Sequence, residues 1–443
     1  MSLSGAAIDL EDLLIGARAI HFTATILAAG LVFFFVFLAA PALPKNDPSH
    51  GVAAFRTRLV AIAWISLAFS IVSGAAWLAL TAQSMSGQPL SDVLSQGVIW
   101  TVLAHTDFGN DWVARLVGAV LLAATLPALI PAHRHPSRLT AAAAVVLAAA
   151  LVGSLAWAGH AIGASGVEGV IHPGADVLHL IAAAAWVGSL PLLALLLATA
   201  EHDPTVAAMA RDTTLRFSTL GILSVGTLLA TGVVNSWYLV GSLPALVETQ
   251  YGRLLLIKIA LFLGMVAIAA ANRLHFTPRL LRNETATAAV RQLRRNAAIE
   301  TLFGVVILVI VAVLGTLPPA SHAHHAAYGG VPADAAFTHI HSEQGMADVT
   351  INPGRVGSAR ATIRLWDADF GPLEARGVTL ALTAPMAGSK PTARVAEQDS
   401  DGAWQVKGIE LSQPGNWTVT VDALLGPASH LVLDAPIVIE PGN

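Results

Sequence analysis

The sequence contains no cysteine among its 443 residues. Disulfides, cysteine-based zinc sites and thiolate copper ligands are therefore excluded, and any site for a soft metal must use His, Met, Asp or Glu. Charged residues are also scarce, at 12% of the chain, whereas apolar residues make up 55%. Because a water-soluble surface needs about a quarter charged residues, most of this surface must face lipid.

Nucleotide-binding signatures such as a Walker motif are absent from the sequence as well. Transport driven directly by ATP is therefore not expected. We predict neither catalytic residues nor an enzymatic activity, and we expect no nucleic-acid partner.

Long apolar runs are what the sequence has instead. A membrane helix needs about 20 mostly apolar residues, because each residue rises about 1.5 Å through a hydrocarbon core about 30 Å thick. The sequence therefore predicts an all-α polytopic membrane bundle of eight transmembrane helices over residues 1–317. The predicted spans are 14–40, 57–82, 113–131, 139–162, 175–199, 214–240, 252–272 and 296–317.

Basic loops alternate with non-basic loops along this bundle. The loops after the first, third, fifth and seventh spans carry Arg or Lys, whereas the stretches 85–111 and 163–176 carry none. Because basic loops stay in the cytoplasm, we expect the bundle to span the lipid bilayer of the inner membrane with both termini outside the cytoplasm. The first apolar run is long and follows no basic segment, so we expect it to be retained as a helix.

The composition changes after Pro318-Pro319. Residues 318–335 are predicted to form a tether that contains His322, His324 and His325. From 336 to 443 the chain reads as short alternating runs separated by Gly, Pro, Asn and Asp, which predicts a C-terminal all-β sandwich. By the loop charges, this domain lies outside the cytoplasm.

Three histidines gather at the predicted outer end of the fourth and fifth spans. His160 ends the fourth span, and His172 and His179 share a helix face with Asp176 if a helix begins near Pro173. Imidazole suits copper, and a carboxylate can orient an imidazole from the second shell. These residues form the predicted metal site, and the alternative is that they are interfacial histidines that hydrogen-bond neighbouring helices.

His21 lies inside the first span, near its predicted outer end. An ionisable residue within a span is a functional candidate by default. It could complete the metal site if the first and fifth helices touch, or it could serve only to hold helices together.

The predicted outer domain has its own histidines. His339-Ile-His341 alternates like a strand, so both side chains should face one way, with Met346 nearby. Together with the tether histidines, these residues could capture copper, because thioether sulfur favours Cu⁺ and imidazole accepts either oxidation state. The alternative is a solvated, histidine-rich linker.

Polar residues also occur inside later spans. Thr231 and Asn235 belong to a polar stripe on the sixth span, which favours contact with a neighbouring helix over a hydrated ion path. Lys258 needs a partner or a water-filled cavity. Glu300 in the eighth span is predicted to pair with Arg294 or Arg295, and a proton or ion relay is the alternative.

Several stretches resemble one protein family. Residues 172–190 read His-Pro-Gly-Ala-Asp-Val-Leu-His-Leu-Ile-Ala-Ala-Ala-Ala-Trp-Val-Gly-Ser-Leu, and further similar stretches are 216–235, 251–258 and 294–319. The chain thereby resembles the CopD (PcoD) copper-resistance family over about 12–320, and the outer domain is similar to YtkA-like or FixH-like β-domains. The resemblance implies import of copper, as Cu⁺ or Cu²⁺, from the periplasm toward the cytoplasm, and a CopC-like periplasmic copper chaperone as partner.

Copper transport is therefore the leading hypothesis from the sequence. One alternative is a redox subunit that holds b-type haem between histidines of neighbouring helices, which requires paired histidines at similar depth. Another is a copper receptor for assembling a cuproenzyme, which needs the same outward copper sites.

Overall fold

The computed structural model describes a helical unit that ends at Ala320 and a separate β unit that follows it. The predicted limits of the tether, 318–335, stay a prediction, since most of these residues lie outside the described part. The described residues are 9–43, 50–130, 135–158, 168–240, 243–281, 286–317, 320, 332, 334–342, 345–367, 372–385, 390–426 and 429–442.

Within these residues, eight helical segments are long and apolar enough to cross a membrane, which confirms the predicted bundle. The second and sixth spans extend well beyond the predicted apolar runs, because their helices continue through polar residues at the ends. The spans, in order, are Leu10–Ala42, His50–Ser86, Phe108–Leu129, Arg138–Trp157, Ile171–His202, Pro204–Val240, Gln250–Leu280 and Thr287–Leu314.

Some spans combine an α-helix with a turn of another helix type. The fifth span, for example, passes through a 3₁₀ turn at Val187–Ser189, and the seventh ends in a π-helical turn at Asn272–Phe276. The α-helices are Leu10–Phe33, Ala40–Ala42, His50–Ser86, Leu90–Ser95, Val98–His105, Asp107–Leu129, Arg138–Gly153, Glu168–Trp186, Leu190–His202, Ala207–Val240, Leu243–Glu248, Gln250–Ala271 and Ala286–Leu314. The remaining turns are Phe34–Ala39 (π) and Ser154–Ala158, Pro204–Val206 and Thr277–Leu281 (3₁₀).

The first and fifth spans meet backbone to backbone. A Cβ atom placed on Gly30 would lie 2.5 Å from Cα of Gly188 and 2.6 Å from the carbonyl oxygen of Ala184. Ser189 also donates a hydrogen bond from its Oγ to the carbonyl oxygen of Gly30, at 3.3 Å. Small residues allow this approach, and they are common where membrane helices pack closely.

The third and seventh spans begin in the same way. Thr106 caps the third span by accepting a hydrogen bond from the backbone N–H of Gly109, and Thr249 caps the seventh by accepting one from Gly252. In each case a Cβ on the glycine would clash with the backbone of the short helix that precedes the span. Nine residues after each threonine the span carries a cation, Arg115 or Lys258.

The first and second spans share a sequence pattern with the fifth and sixth spans. Four residues of the first two spans have an identical or similar residue 158 positions later in the chain, which indicates an internal repeat. In both halves the histidine lies beside a glycine of the neighbouring span. A Cβ placed on Gly74 would lie 3.2 Å from Cε1 of His21, and one placed on Gly232 would lie 3.8 Å from Cε1 of His179. The corresponding pairs are His21 and His179, Gly30 and Gly188, Ser73 and Thr231, and Gly74 and Gly232.

The β unit is built from two antiparallel sheets, which confirms the predicted sandwich. One sheet has the strand order β1-β2-β3-β7-β6 and the other β5-β4-β8-β9. Inward residues of both, such as Val349 and Val419, form one buried core. The strands β1 to β9 are Ala336–Ser342, Gly345–Asn352, Gly357–Trp366, Gly377–Thr383, Thr392–Val395, Glu397–Gln398, Trp404–Leu411, Gly415–Gly426 and Ser429–Ile439.

Candidate functional site

Two of the three predicted outer histidines lie on one helix, in contact with the sixth span. The helix Glu168–Trp186 begins before Pro173, earlier than predicted, yet His172 and His179 still share a face with Asp176. We call the polar residues gathered here the histidine cluster. It consists of His172, Asp176 and His179 of the fifth span, Thr231, Asn235 and Tyr238 of the sixth, and Tyr251 and Lys258 of the seventh.

The hydrogen bonds of Thr231 fix the orientation of His179. The threonine hydroxyl donates its proton to the carbonyl oxygen of Thr227 at 2.7 Å, so toward His179 it can only accept. Nδ1 of His179 lies 2.9 Å from this oxygen and must therefore carry the ring proton. The other ring nitrogen, Nε2, then presents a lone pair, and among the described residues it has no hydrogen-bond partner.

Asp176 is held one turn from His179. Asn235 donates a hydrogen bond from Nδ2 to Oδ1 of Asp176 at 3.0 Å, and Lys258 interacts electrostatically with the same carboxylate. Lys258 also interacts electrostatically with His179. The side-chain oxygen of Asn235 is buried without a hydrogen-bond partner, so an acceptor remains available beside the carboxylate.

His172 closes the cluster at the end nearest the helix start. Its ring is 6% exposed and stacks on Tyr238, with ring centroids 5.0 Å apart and planes 21° apart. This contact joins the fifth and sixth spans and leaves the ring near Asp176, with which it interacts electrostatically. His172 therefore lies in the histidine cluster, and it also makes a contact between neighbouring helices, which is the alternative prediction for these histidines.

The described residues do not by themselves complete a metal site. No group of three or more His, Asp or Glu side chains that could hold a metal comes together within the described part of the chain. His160 lies outside the described residues, as do the tether histidines His322, His324 and His325.

His21 occupies the equivalent place in the first half of the bundle. Its Nδ1 donates to the carbonyl oxygen of Ser70 at 2.9 Å, and its buried Nε2 has no hydrogen-bond partner. The first and fifth spans do touch, but at Gly30, about 13 Å further along the helix at 1.5 Å per residue. The structure therefore places His21 against the second span and does not bring it into the histidine cluster.

The charges around the two equivalent histidines differ. Where the histidine cluster has Asp176 and Lys258, the corresponding positions near His21 are Arg18 and Arg115. Both guanidinium groups lie over the ring of Trp77, at 5.1 and 5.6 Å from its centroid. A cation at His21 would thus meet two positive charges, whereas at His179 it would meet a balanced pair.

In the β unit, a carboxylate links a histidine to a tryptophan. Asp348 accepts hydrogen bonds from Nδ1 of His339 and, at 3.0 Å, from Nε1 of Trp366. The strand register sets His341 opposite Met346, next to this pair and on the same sheet face. Met346 is only 2% exposed. The side chain of His341 lies outside the described part, and its role stays a prediction.

Replacing Asp348 with asparagine should loosen this corner of the β unit. The amide offers one neutral oxygen in place of two carboxylate oxygens, which weakens or removes one of these two buried hydrogen bonds at a cost of about 1–3 kcal/mol. In the full-length protein, we expect faster amide hydrogen exchange in β1 and β2. Asp422→Asn is the matched control, since its pair with His430 is exposed and should contribute little. Unchanged exchange in Asp348→Asn would contradict the structural role.

Comparison with known proteins identifies the family. Residues 8–170 match the family described as "Copper resistance protein D-like, N-terminal domain", and residues 211–314 match "Copper resistance protein D". Copper resistance protein D of Pseudomonas syringae pv. tomato is 33% identical over 319 residues, which cover 70% of this chain and 98% of the relative. The chain belongs to the copper resistance protein D family.

Two further relatives place this member of the copper resistance protein D family more closely. Inner membrane protein YebZ of Escherichia coli (strain K12) is 33% identical over 309 residues, covering 69% of this chain and 98% of the relative. Copper transport protein CutJ of Bacillus subtilis (strain 168) is 28% identical over 420 residues, covering 94% of this chain and 72% of the relative. The second match must extend into the β unit. This family member is a multi-pass membrane protein with a copper-related function.

Three residues of this family member, Thr231, Asn235 and Glu300, have partners that the sequence did not identify. Thr231 and Asn235 bond directly to the two candidate ligands of the fifth span, although the stripe alone favoured a plain helix contact. Glu300 bonds to Asn272 rather than to Arg294, which pairs with Glu201. The 158-residue repeat is the sequence signal that links Thr231 to His179, since Ser73 lies beside His21.

Proposed function

We propose that this protein carries copper across the inner membrane, from the periplasm toward the cytoplasm, between its fifth, sixth and seventh spans. The observation that carries this proposal is the fixed ring of His179, whose Nε2 lone pair is held ready for a metal by the hydrogen bond to Thr231. Neutral imidazole is a ligand that suits copper in either oxidation state.

The charges of the histidine cluster suit a cation that passes through. Lys258 interacts electrostatically with Asp176 and balances its charge. A copper ion arriving at His179 takes over that interaction, because it brings positive charge to the same carboxylate. The site is then attractive to the ion without burying an unpaired negative charge when the ion has left.

The ligand set is proposed to include residues beyond His179. His172 and Asp176 lie one to two turns away on the same helix face and would receive the ion first. His160 is proposed to contribute from the end of the fourth span. We leave His21 out of this route, because Arg18 and Arg115 surround it with positive charge.

The proposed direction of transport rests on the family resemblance, and the loop charges support the orientation of the bundle. Basic loops alternate along the chain, so the histidine cluster is proposed to face the periplasm and the arginine-rich end the cytoplasm. One relative is named copper transport protein CutJ, which supports transport as the function. In this orientation the β unit lies in the periplasm, where a CopC-like chaperone could deliver copper.

The β unit is proposed to capture copper before it reaches the bundle. His339 is oriented by Asp348, as metal-binding histidines commonly are by a carboxylate, and Met346 adds a thioether on the same face. His341 and the tether residues His322, His324 and His325 are proposed to extend this capture surface.

Copper uptake into sealed vesicles tests the proposed function. The full-length protein would be reconstituted into liposomes that contain a coloured Cu⁺ chelator, and Cu⁺ would be supplied outside on a weak ligand. We expect coloured complex to form inside several-fold faster than in protein-free vesicles. Equal rates in both preparations would overturn the proposal, and copper bound to the protein without luminal complex would favour a receptor instead.

A further inference from the structure

The polar face of the seventh span continues beyond the histidine cluster. Tyr251, Lys258, Met265 and Asn272 follow one another at intervals of seven residues, so they lie on one face of the helix. Tyr251 and Lys258 belong to the histidine cluster. Asn272 lies about 20 Å further along, in the π-helical turn that ends the span. The same face therefore leads from the histidine cluster to the arginine-rich end.

An apolar layer separates the two ends of this face. Trp186 lies two turns beyond His179 on the fifth span, and its ring meets Phe262 edge to face, with centroids 6.0 Å apart. Met265 and Leu228 pack in the same buried cluster. In this state no described polar side chain joins the histidine cluster to the far end across these residues.

A second polar group, the glutamate cluster, lies beyond the apolar layer. Glu300 is 1% exposed, and its Oε1 accepts a hydrogen bond from Nδ2 of Asn272 at 2.9 Å. Asn272 in turn accepts one from Asn296 at 2.6 Å, and Asn296 accepts one from Gln292 at 2.9 Å. Gln292 lines an open surface pocket together with Arg291. The glutamate cluster therefore runs from the surface to one buried carboxyl group.

Two buried polar atoms near the apolar layer have no hydrogen-bond partner among the described residues. They are Oε2 of Glu300 and Nε1 of Trp186. The indole nitrogen faces Gly221 of the sixth span, where a Cβ would still be 4.0 Å away. An unpaired donor in the apolar layer and an unpaired acceptor beyond it each indicate a place that something else occupies at another stage.

Charged groups on the surrounding elements are engaged elsewhere. Within the described residues, no charged side chain is bonded to Glu300. Arg273 donates to Ser218, Arg294 pairs with Glu201, and Arg279 lies over the ring of Phe276. At this end of the bundle, Nδ1 of His202 lies 2.9 Å from the carbonyl oxygen of Ala198, and His275, Arg291 and Arg295 are exposed.

A carboxylate without a cation is unfavourable in such surroundings. Burying an ionised carboxyl group away from water is costly, so the group binds a proton when no cation is near. Its oxygens are also poor ligands for Cu⁺, which prefers sulfur and nitrogen. Glu300 therefore suits a proton better than it suits the copper ion itself.

We propose that Glu300 is the proton-exchanging group of the transport cycle, which gives up its proton as a copper ion crosses the apolar layer. This inference rests on the proposed function. The O–H bond of the Glu300 carboxylic acid breaks, the proton passes to water at the arginine-rich end, and the carboxylate balances the charge of the ion. One proton leaves for each Cu⁺ that arrives, the carboxylate takes up a proton again from water at the same end when the ion departs, and no electron is transferred.

Infrared difference spectroscopy on the full-length protein tests the protonation step. Adding Cu⁺ to the wild type should remove the C=O stretching band of one protonated, buried carboxyl group. Glu300→Gln should lack this change, while Glu248→Gln, an exposed glutamate on the same unit, should keep it. Asn272→Ala leaves the carboxyl group in place and removes its donor, so it should shift the band without abolishing it.

A vesicle assay tests the role of Glu300 in transport. With the Cu⁺ chelator trapped inside, wild type and Glu248→Gln should accumulate copper at the same rate. Glu300→Gln, which cannot release a proton, should transport copper at least about 10-fold more slowly. A wild type with uptake but no copper-dependent carboxyl band would overturn the role of Glu300 alone. The band without uptake would overturn the proposed transport and leave the proton site standing.

Discussion

Replacing His179 with alanine is expected to abolish copper uptake into vesicles. The imidazole Nε2 is the one ring nitrogen in the histidine cluster whose lone pair is fixed by a hydrogen bond on the other side of the ring. Loss of a residue that only orients a ligand typically costs about 10–100-fold in metal affinity, so loss of the ligand should reach at least the upper end. Uptake at low copper should therefore fall by about 100-fold or more.

A graded variant and a matched control make this result specific. Thr231→Val keeps the shape of the threonine but removes the acceptor for Nδ1, so uptake should fall by about 10-fold. His202→Ala removes an exposed histidine at the opposite end of the same span and should change nothing. If His179→Ala transported copper as the wild type does, the copper route between the fifth and sixth spans would have to be abandoned.

Replacing Gly30 with alanine is expected to have the largest effect on stability. The added methyl group would lie 2.5 Å from Cα of Gly188 and 2.6 Å from the carbonyl oxygen of Ala184. Both neighbours are backbone atoms, so the first and fifth spans must move apart. Overpacking of this kind costs about 1–3 kcal/mol, and backbone contact on both sides places this site at the upper end.

Thermal unfolding in detergent, followed by circular dichroism, measures the effect. Gly30→Ala should unfold at a clearly lower temperature than the wild type. Gly226→Ala is the matched control, because it also lies within a span but a Cβ there meets nothing within 4 Å. It should be neutral or gain up to about 1 kcal/mol from the better helix propensity of alanine. Equal midpoints for Gly30→Ala and the wild type would show that the two spans do not pack closely.

The internal repeat explains why one half of the bundle is suited to a cation and the other is not. His21 and His179 occupy matching positions, and each donates from Nδ1 to the neighbouring span. In the second half Asp176 and Lys258 balance one another, whereas Arg18 and Arg115 at the matching positions are both cations, with Asp111 beside Arg115. The two halves share the same backbone arrangement, and one change of charge, between Asp176 and Arg18, separates them.

Much of the architecture could be predicted from the sequence. Apolar runs of about 20 residues identify membrane spans, since lipid leaves no other way to satisfy the backbone, and all eight were found in this way. The alternation of short strands identified the sandwich. The spacing of His172, Asp176 and His179 placed them on one face, because the helical period is fixed.

The partners of these residues could not be predicted in the same way. The spacing within a span tells which side chains share a face, but it carries no information on which span that face meets. The sequence alone predicts that Thr231 and Asn235 contact a neighbouring helix and that Glu300 pairs with Arg294 or Arg295. The rotations of the fifth, sixth and eighth spans instead bring these residues to His179, Asp176 and Asn272.

The sequence by itself determined that this chain crosses a membrane eight times and ends in a β-sandwich, because hydrophobic length and strand alternation are local properties. Only the tertiary structure decided which histidine has a fixed ring, which one is surrounded by arginines, and that Glu300 is buried with one oxygen unpaired. These facts depend on how separate helices are rotated against each other. That rotation is set by close contacts such as Gly30 against Gly188, between residues far apart in the chain.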